Sequence, residues 1–329
     1  MSTPDNQTAP SQRPRRPGKF TEAPLTRRGW MAAAAATAAA AGAAAAAGGA
    51  AASIASPAAA EEDDEAGPDW KVSRGRINQS VCLWCFQPME VEELARAAAG
   101  MGLRSVELVD PKHWPLLKKH GLVCAITSSH GFVRGLNHTE HHAECIEKLT
   151  SSIEATAEAG FPNVITFSGM RGQLDDEQGI KNTVEGLKKV AGLAERKKVN
   201  LCLEPLNTRV DVEMKGHPGY HCDRVEWAVE VCDRVGSDRV KILFDIYHVQ
   251  IMQGDVIVRI RQFKDYIAHY HTAGVPGRNE LDDTQEINYP AVMQAIVDTG
   301  YKGYVGQEFI PRADDKIASL RHAAWLCDV

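Results

Sequence analysis

From Arg76 onward the chain alternates short apolar runs with longer amphipathic stretches, and it does so eight times. Few folds accept that pattern. The runs are Ile77 to Leu83, Ser105 to Val109, Leu122 to Thr127, Val164 to Phe167, Asn200 to Leu203, Val240 to Phe244, Ile267 to Tyr270 and Gly303 to Gln307. Each is too short and too continuously apolar for a surface helix and reads as a strand covered on both faces. The intervening stretches have helical period: Met89 to Gly100, Trp114 to His120, Thr139 to Ala159, Asp175 to Lys198, Asp223 to Val235, Asp255 to Lys264, Tyr289 to Asp298 and Asp314 to Leu326. Gly100 and Gly102 are read as terminators of the first. Strands alternating with helices imply parallel pairing and helical crossovers. Eight such units in about 250 residues predict a (β/α)8 barrel over 72–329. An open doubly wound sheet is the competing architecture. It would want a glycine-rich phosphate turn after an early strand, and neither GxGxxG nor GxxxxGK followed by Ser or Thr occurs.

In such a barrel, reactive side chains project from the C-terminal ends of the strands. The last four runs end in Leu203-Glu204-Pro205-Leu206-Asn207, Phe244-Asp245-Ile246-Tyr247-His248, Tyr270-His271-Thr272 and Gln307-Glu308-Phe309. Four consecutive strands therefore deliver Glu204, Asp245, His271 and Glu308 to one face. Three carboxylates and one imidazole suit a hard or borderline divalent ion, Mg²⁺ or Mn²⁺ first, with Co²⁺ or Zn²⁺ also compatible. A single acid at a strand end would more often cap the next loop; four at equivalent positions argue for a shared ligand. His130 after the third run and Glu107 on the second are expected to face the same mouth. The cluster His138, His141 and His142 opens an amphipathic helix and reads as a solvated face. His217 and His221, in the Gly-Pro loop after the fifth run, are placed for a lid or for a subunit contact in a homo-oligomer.

The segments Glu204-Pro-Leu-Asn-Thr, Phe244-Asp245-Ile-Tyr-His248-Val-Gln, Ala273-Gly-Val-Pro-Gly-Arg278-Asn-Glu, Glu286-Ile-Asn-Tyr289-Pro and Gln307-Glu308-Phe resemble the hydroxypyruvate isomerase family of the xylose isomerase-like TIM barrels. The resemblance runs over residues 76 to 329 and is densest beyond 200. It implies that Glu204, Asp245, His271 and Glu308 hold one metal ion and that the two glutamates act as acid and base. It also implies that His248, Arg278 and Asn207 meet a small carbohydrate or hydroxy-keto acid. At His271 the chain looks more like ketose 3-epimerases, because hydroxypyruvate isomerases can carry an amide there. Ketose 3-epimerases and inosose-processing enzymes share the same metal site and stand as alternatives.

The chemistry is also arguable from the side chains alone. A glutamate beside an α-hydroxy carbonyl can remove the proton of the intervening carbon, and the enediolate that results can be reprotonated next door or on its other face. Arg278 could clamp a substrate carboxylate through two parallel hydrogen bonds. Two further function classes share the barrel: an endonuclease IV-like phosphodiester hydrolase and a non-catalytic sugar-binding barrel. The second would lose one of the paired glutamates, and both are present.

Charge bears on the first. The 329 residues carry 37 Lys and Arg against 43 Asp and Glu. Six basic and two acidic groups lie within residues 1–60, so residues 61–329 hold 31 basic and 41 acidic groups, a net of −10. Phosphate backbones are bound by clustered Lys and Arg, so nucleic acid is disfavoured as a partner.

Residues 1–60 are set apart. A polar, Arg-rich stretch leads to Thr26-Arg27-Arg28-Gly29-Trp30-Met31, then to a run of Ala and Gly ending in Ala58-Ala59-Ala60. That order resembles a twin-arginine export signal and predicts a periplasmic or extracytoplasmic destination. Alanine inserts too weakly for this stretch to make a stable membrane span. Residues 61–71 read as an acidic spacer. Of the eight cysteines, Cys124 and Cys202 sit in apolar runs and read as core, while Cys82-Leu-Trp-Cys85 reads as a strand-end pair, with a disulfide as the lesser alternative.

Overall fold

The computed structural model describes residues 66–329; the segment expected to be an export signal and residues 61–65 of the acidic spacer lie outside them. Eight parallel strands follow the order of the apolar runs: β1 Asn78–Cys82, β2 Ser105–Glu107, β3 Ile126–Thr127, β4 Asn163–Thr166, β5 Asn200–Leu203, β6 Val240–Asp245, β7 Ile267–Thr272 and β8 Tyr304–Gln307. Neighbours pair in the order β2-β1-β8-β7-β6-β5-β4-β3. A parallel bridge from Ser105 of β2 to Val123, just before β3, and the Leu108 N–H to Ile126 carbonyl bond at 3.1 Å link the two ends, so the sheet forms a nearly closed (β/α)8 TIM barrel.

The helices are α1 Val91–Met101, α2 Trp114–Lys119, α3 His142–Ala159, α4 Asp176–Lys197, α5 Val225–Val235, α6 Ile246–Met252, α7 Val256–Phe263, α8 Tyr289–Asp298 and α9 Lys316–Leu326. Local chemistry sets their ends. The Asp175 carboxylate accepts from the Gln178 N–H at 2.8 Å and starts α4, a cap worth about 1 kcal/mol. The stop of α1 is Gly102, whose φ of 85° is open to glycine at no steric cost, whereas Gly100 stays inside the helix. The short helix α6 was not anticipated: it begins directly at the end of β6, where Asp245 accepts from the Tyr247 and His248 N–H groups.

Two apolar layers hold the barrel. The larger lies between strands and helices and includes Val81, Val106, Phe244 and Tyr270. The smaller fills the barrel interior with Ile126, Ile165, Cys202 and Leu243. Inside, apolar side chains crowd the β3–β6 side, while the β1, β2, β7 and β8 side holds buried polar groups: Ser80, Glu107, His269 and His271. Among the described residues no helix is long and apolar enough to cross a membrane.

Candidate active site

Register and strand parity bring the four predicted groups together. Asp245 of β6 stands opposite His271 of β7, and His271 stands opposite Gly306, two residues before Glu308. Glu204 follows β5, its N–H held by the Thr166 carbonyl at 3.2 Å. One ligand atom from each of Glu204, Asp245, His271 and Glu308 lies within 4.8 Å of all the others. Each of these residues is at most 4% exposed.

Three carboxylates this close in a buried site repel one another unless cations meet them. Arg278 is the nearest. Its Nη2 donates to Asp245 Oδ2 at 3.3 Å and, at shorter range, to Glu308 Oε2. Its Nη1 donates to the Met214 carbonyl at 2.9 Å. The guanidinium lies 5.1 Å from the Trp84 ring and 5.4 Å from the Tyr247 ring, within cation–π range of both. Its backbone φ of 56° is a region that costs a non-glycine residue energy and that surrounding contacts must hold.

The two glutamates are held in unlike states. Burial pushes Glu204 well above the usual carboxylate range, and the neighbouring charge of Glu308 adds to it. Burial also pulls Glu308 upward, but His271 and Arg278 outweigh it and hold the carboxyl well below that range. Trp84 Nε1 adds a hydrogen bond to Glu308 Oε1 at 3.0 Å. Burial lifts Asp245 to about 6, with Arg278 opposing. Paired carboxyls driven apart in this way are suited to act as acid and base. The donor set of three oxygen ligands and one imidazole nitrogen, with one guanidinium to balance it, fits a hard or borderline divalent cation.

Around this centre the predicted residues separate. His248 belongs to it: its Nδ1 accepts from the Asn207 N–H at 3.1 Å and lies 2.7 Å from Asn207 Nδ2. The proton therefore sits on Nε2, which is 3.5 Å from Asp245 Oδ2 and has no hydrogen-bond partner. Asn207 is engaged within the protein. Its amide is spent on His248, the Lys215 carbonyl and the Val210 N–H, so it orients His248. His130 is also committed, its Nε2 to Thr166 Oγ1 at 2.9 Å and its Nδ1 to the Gly131 carbonyl at 3.1 Å. Glu107 does not face the mouth: it is wholly buried, with Oε2 at 3.0 Å from His269 Nε2 and 2.9 Å from His271 Nε2.

His217 leans over the site, 5.8 Å from the His248 ring and 4.5 Å from Phe132. His221 is elsewhere, buried against Asn137. His142 departs from the solvated-face reading; it is buried and bonded to the Leu136 carbonyl at 2.8 Å. Cys82 and Cys85 are free, buried thiols, as are the other six cysteines. The sequence reading passed over Trp84 and His269. Trp84 lies just past the end of β1, where the strand-end rule would have found it, and His269 shares a face with His271 by the two-residue period of a strand.

A family model for the xylose isomerase-like TIM barrel matches residues 95–328. A putative hydroxypyruvate isomerase of Homo sapiens is 31% identical over 240 residues, covering 71% of this chain and 79% of the relative. The hydroxypyruvate isomerase of Escherichia coli (strain K12) is 35% identical over 145 residues, 44% of this chain and 53% of its own. Among solved structures, one named AP endonuclease, family 2, from Brucella melitensis superposes with a TM-score of 0.65 at 25% identity, covering 76% of this chain and 98% of that one. The chain belongs to the xylose isomerase-like TIM barrel family and is an enzyme of the isomerase kind.

Proposed function

We propose that this enzyme is a divalent-metal-dependent isomerase of a short hydroxy-keto acid such as hydroxypyruvate, working through an enediolate. The observation that carries the reading is the convergence of Glu204, Asp245, His271 and Glu308 on one buried point beside Arg278. When bound there, a divalent ion polarises the substrate carbonyl and acidifies the neighbouring C–H. Glu308, held proton-free by Arg278, His271 and Trp84, is the group fitted to take that proton. Glu204, on the other glutamate arm of the site, is fitted to return one to the adjacent carbon. For hydroxypyruvate, transfer of a C3 proton to C2, with the C3 hydroxyl proton passing to the C2 oxygen, converts ketone to aldehyde with the atoms conserved. His248 Nε2–H is placed to donate to a substrate hydroxyl or carbonyl oxygen. Arg278 Nε, buried and unpartnered, is the atom left to meet a carboxylate.

The deciding experiment is incubation of the enzyme with hydroxypyruvate in ²H₂O, with Mn²⁺ or Mg²⁺ and with EDTA, followed by proton NMR. Metal-dependent exchange at C3 and appearance of the aldehyde support the reading. Inertness toward hydroxypyruvate, with turnover of a neutral ketose or inosose in the same buffer, would favour the epimerase or inosose-processing alternative instead. The net charge of −10 over residues 61–329 speaks against phosphodiester hydrolysis on DNA.

A further inference from the structure

The polar side of the barrel interior holds a second set of groups directly beneath the ligands. Glu107 of β2 sends a single oxygen, Oε2, to the Nε2 atoms of both His269 and His271. All three side chains are wholly buried. The two imidazoles meet edge-on with centroids 4.9 Å apart. Space for the carboxylate is provided by Gly306 of β8, one strand beyond β1, because a Cβ there would stand 2.6 Å from Glu107 Oε2. The Cys82 thiol closes the remaining side, 3.6 Å from both Glu107 Oε2 and His271 Nε2.

From this arrangement we infer that Glu107 is a positioning residue that works through His271, with His269 as its brace; the inference rests on the metal reading proposed above. A carboxylate oxygen facing an imidazole nitrogen requires the hydrogen on that nitrogen. Glu107 therefore fixes the His271 proton on Nε2 and reserves Nδ1 for the ligand group, 3.0 Å from Glu308 Oε2 and 3.9 Å from Glu204 Oε1. It also fixes the ring plane, since His271 cannot rotate without leaving Glu107. His269 donates to the same oxygen and stops the carboxylate from turning away. A partner carboxylate behind a ligating histidine sets tautomer, orientation and basicity together, and its loss commonly weakens metal binding by about 10–100-fold.

The test measures Mn²⁺ affinity by calorimetry on the intact protein and on Glu107→Gln, His271→Gln and the double variant. Glu107→Gln keeps the volume that Gly306 accommodates. It should weaken Mn²⁺ binding by about 10–100-fold while the metal-free melting temperature falls only slightly. In the His271→Gln background the same change should cost less than about threefold, because the residue through which it acts is gone. Equal losses in both backgrounds would reduce Glu107 to general packing and overturn the inference. Wild-type affinity in Glu107→Gln would overturn it too, while leaving the metal site itself intact. Failure of the wild-type protein to bind Mn²⁺, Mg²⁺, Co²⁺ or Zn²⁺ would instead remove the metal reading, and this inference with it.

Discussion

Replacing Glu308 with Gln removes a proton acceptor and leaves nearly everything else in place, so its cost divides into parts that can be read separately. In the native site Glu308 Oε1 accepts from Trp84 Nε1 at 3.0 Å, while Oε2 accepts from Arg278 and faces His271 Nδ1 at 3.0 Å. A glutamine has only one acceptor oxygen. Its NH₂ must then point at one of these donors, leaving a buried donor unmet at a cost of about 1–3 kcal/mol. Arg278 keeps Asp245 as a carboxylate partner, which holds the loss toward the middle of that range. A change of about 2 kcal/mol lowers the melting temperature of a domain this size by about 4–8 °C. Catalysis should suffer more. Loss of a general base reduces turnover by about 10²–10⁴-fold, roughly 3–5 kcal/mol of barrier. Proton NMR in ²H₂O follows C3 exchange directly, and calorimetric melting follows stability. Turnover within about threefold of wild type on every substrate accepted, in a protein that melts a few degrees lower, would refute Glu308 as the base.

Asp245→Ala should abolish the rise in melting temperature that Mn²⁺ gives the wild-type protein. A ligand at about 100 times its Kd stabilises by about 2.7 kcal/mol, so an undiminished rise in the variant would dismiss Asp245 as a ligand. Arg278→Ala should raise KM for hydroxypyruvate well beyond any change for a neutral ketose, because only the acid loses a charged partner; equal changes would assign Arg278 a purely structural role. Acid should destabilise the barrel through His217 and His221, which burial pushes down from 6.5 to about 4. Both are neutral in the fold while the unfolded chain takes up protons from about 6.5 downward, so stability is lost between about 6.5 and 4, and urea midpoints for His221→Gln should fall less steeply there. Finally, we propose that Arg27 and Arg28 form the export address; exchange of both for Lys should leave the precursor in the cytoplasm, and normal export on fractionation would reject it.

How far the site could be read in advance follows from what a barrel imposes. A strand of four to six residues covered on both faces has little freedom: topology fixes which end carries chemistry, and parity fixes which residues point inward. Glu204, Asp245, His271 and Glu308 were legible for that reason, as were the eight strand-helix units, β5 and α8 to the residue. Glu107 lay beyond the same rule, which sends a polar group near a strand end to the mouth and says nothing of a polar interior. The barrel instead places a glycine at 306, which makes room for a buried carboxylate, and two histidines on β7, which neutralise it. Neither condition is visible within the second apolar run; each depends on partners about 160 to 200 positions away. The same holds for Arg278, whose approach to Asp245 and Glu308 requires a left-handed backbone in a loop that no periodicity describes. His130 and Asn207 show what position alone does not reveal. Both stand where substrate contacts belong, yet their hydrogen-bonding atoms are already consumed by Thr166, Gly131, His248, Lys215 and Val210, and a side chain whose donors and acceptors are satisfied internally has little left to offer a ligand.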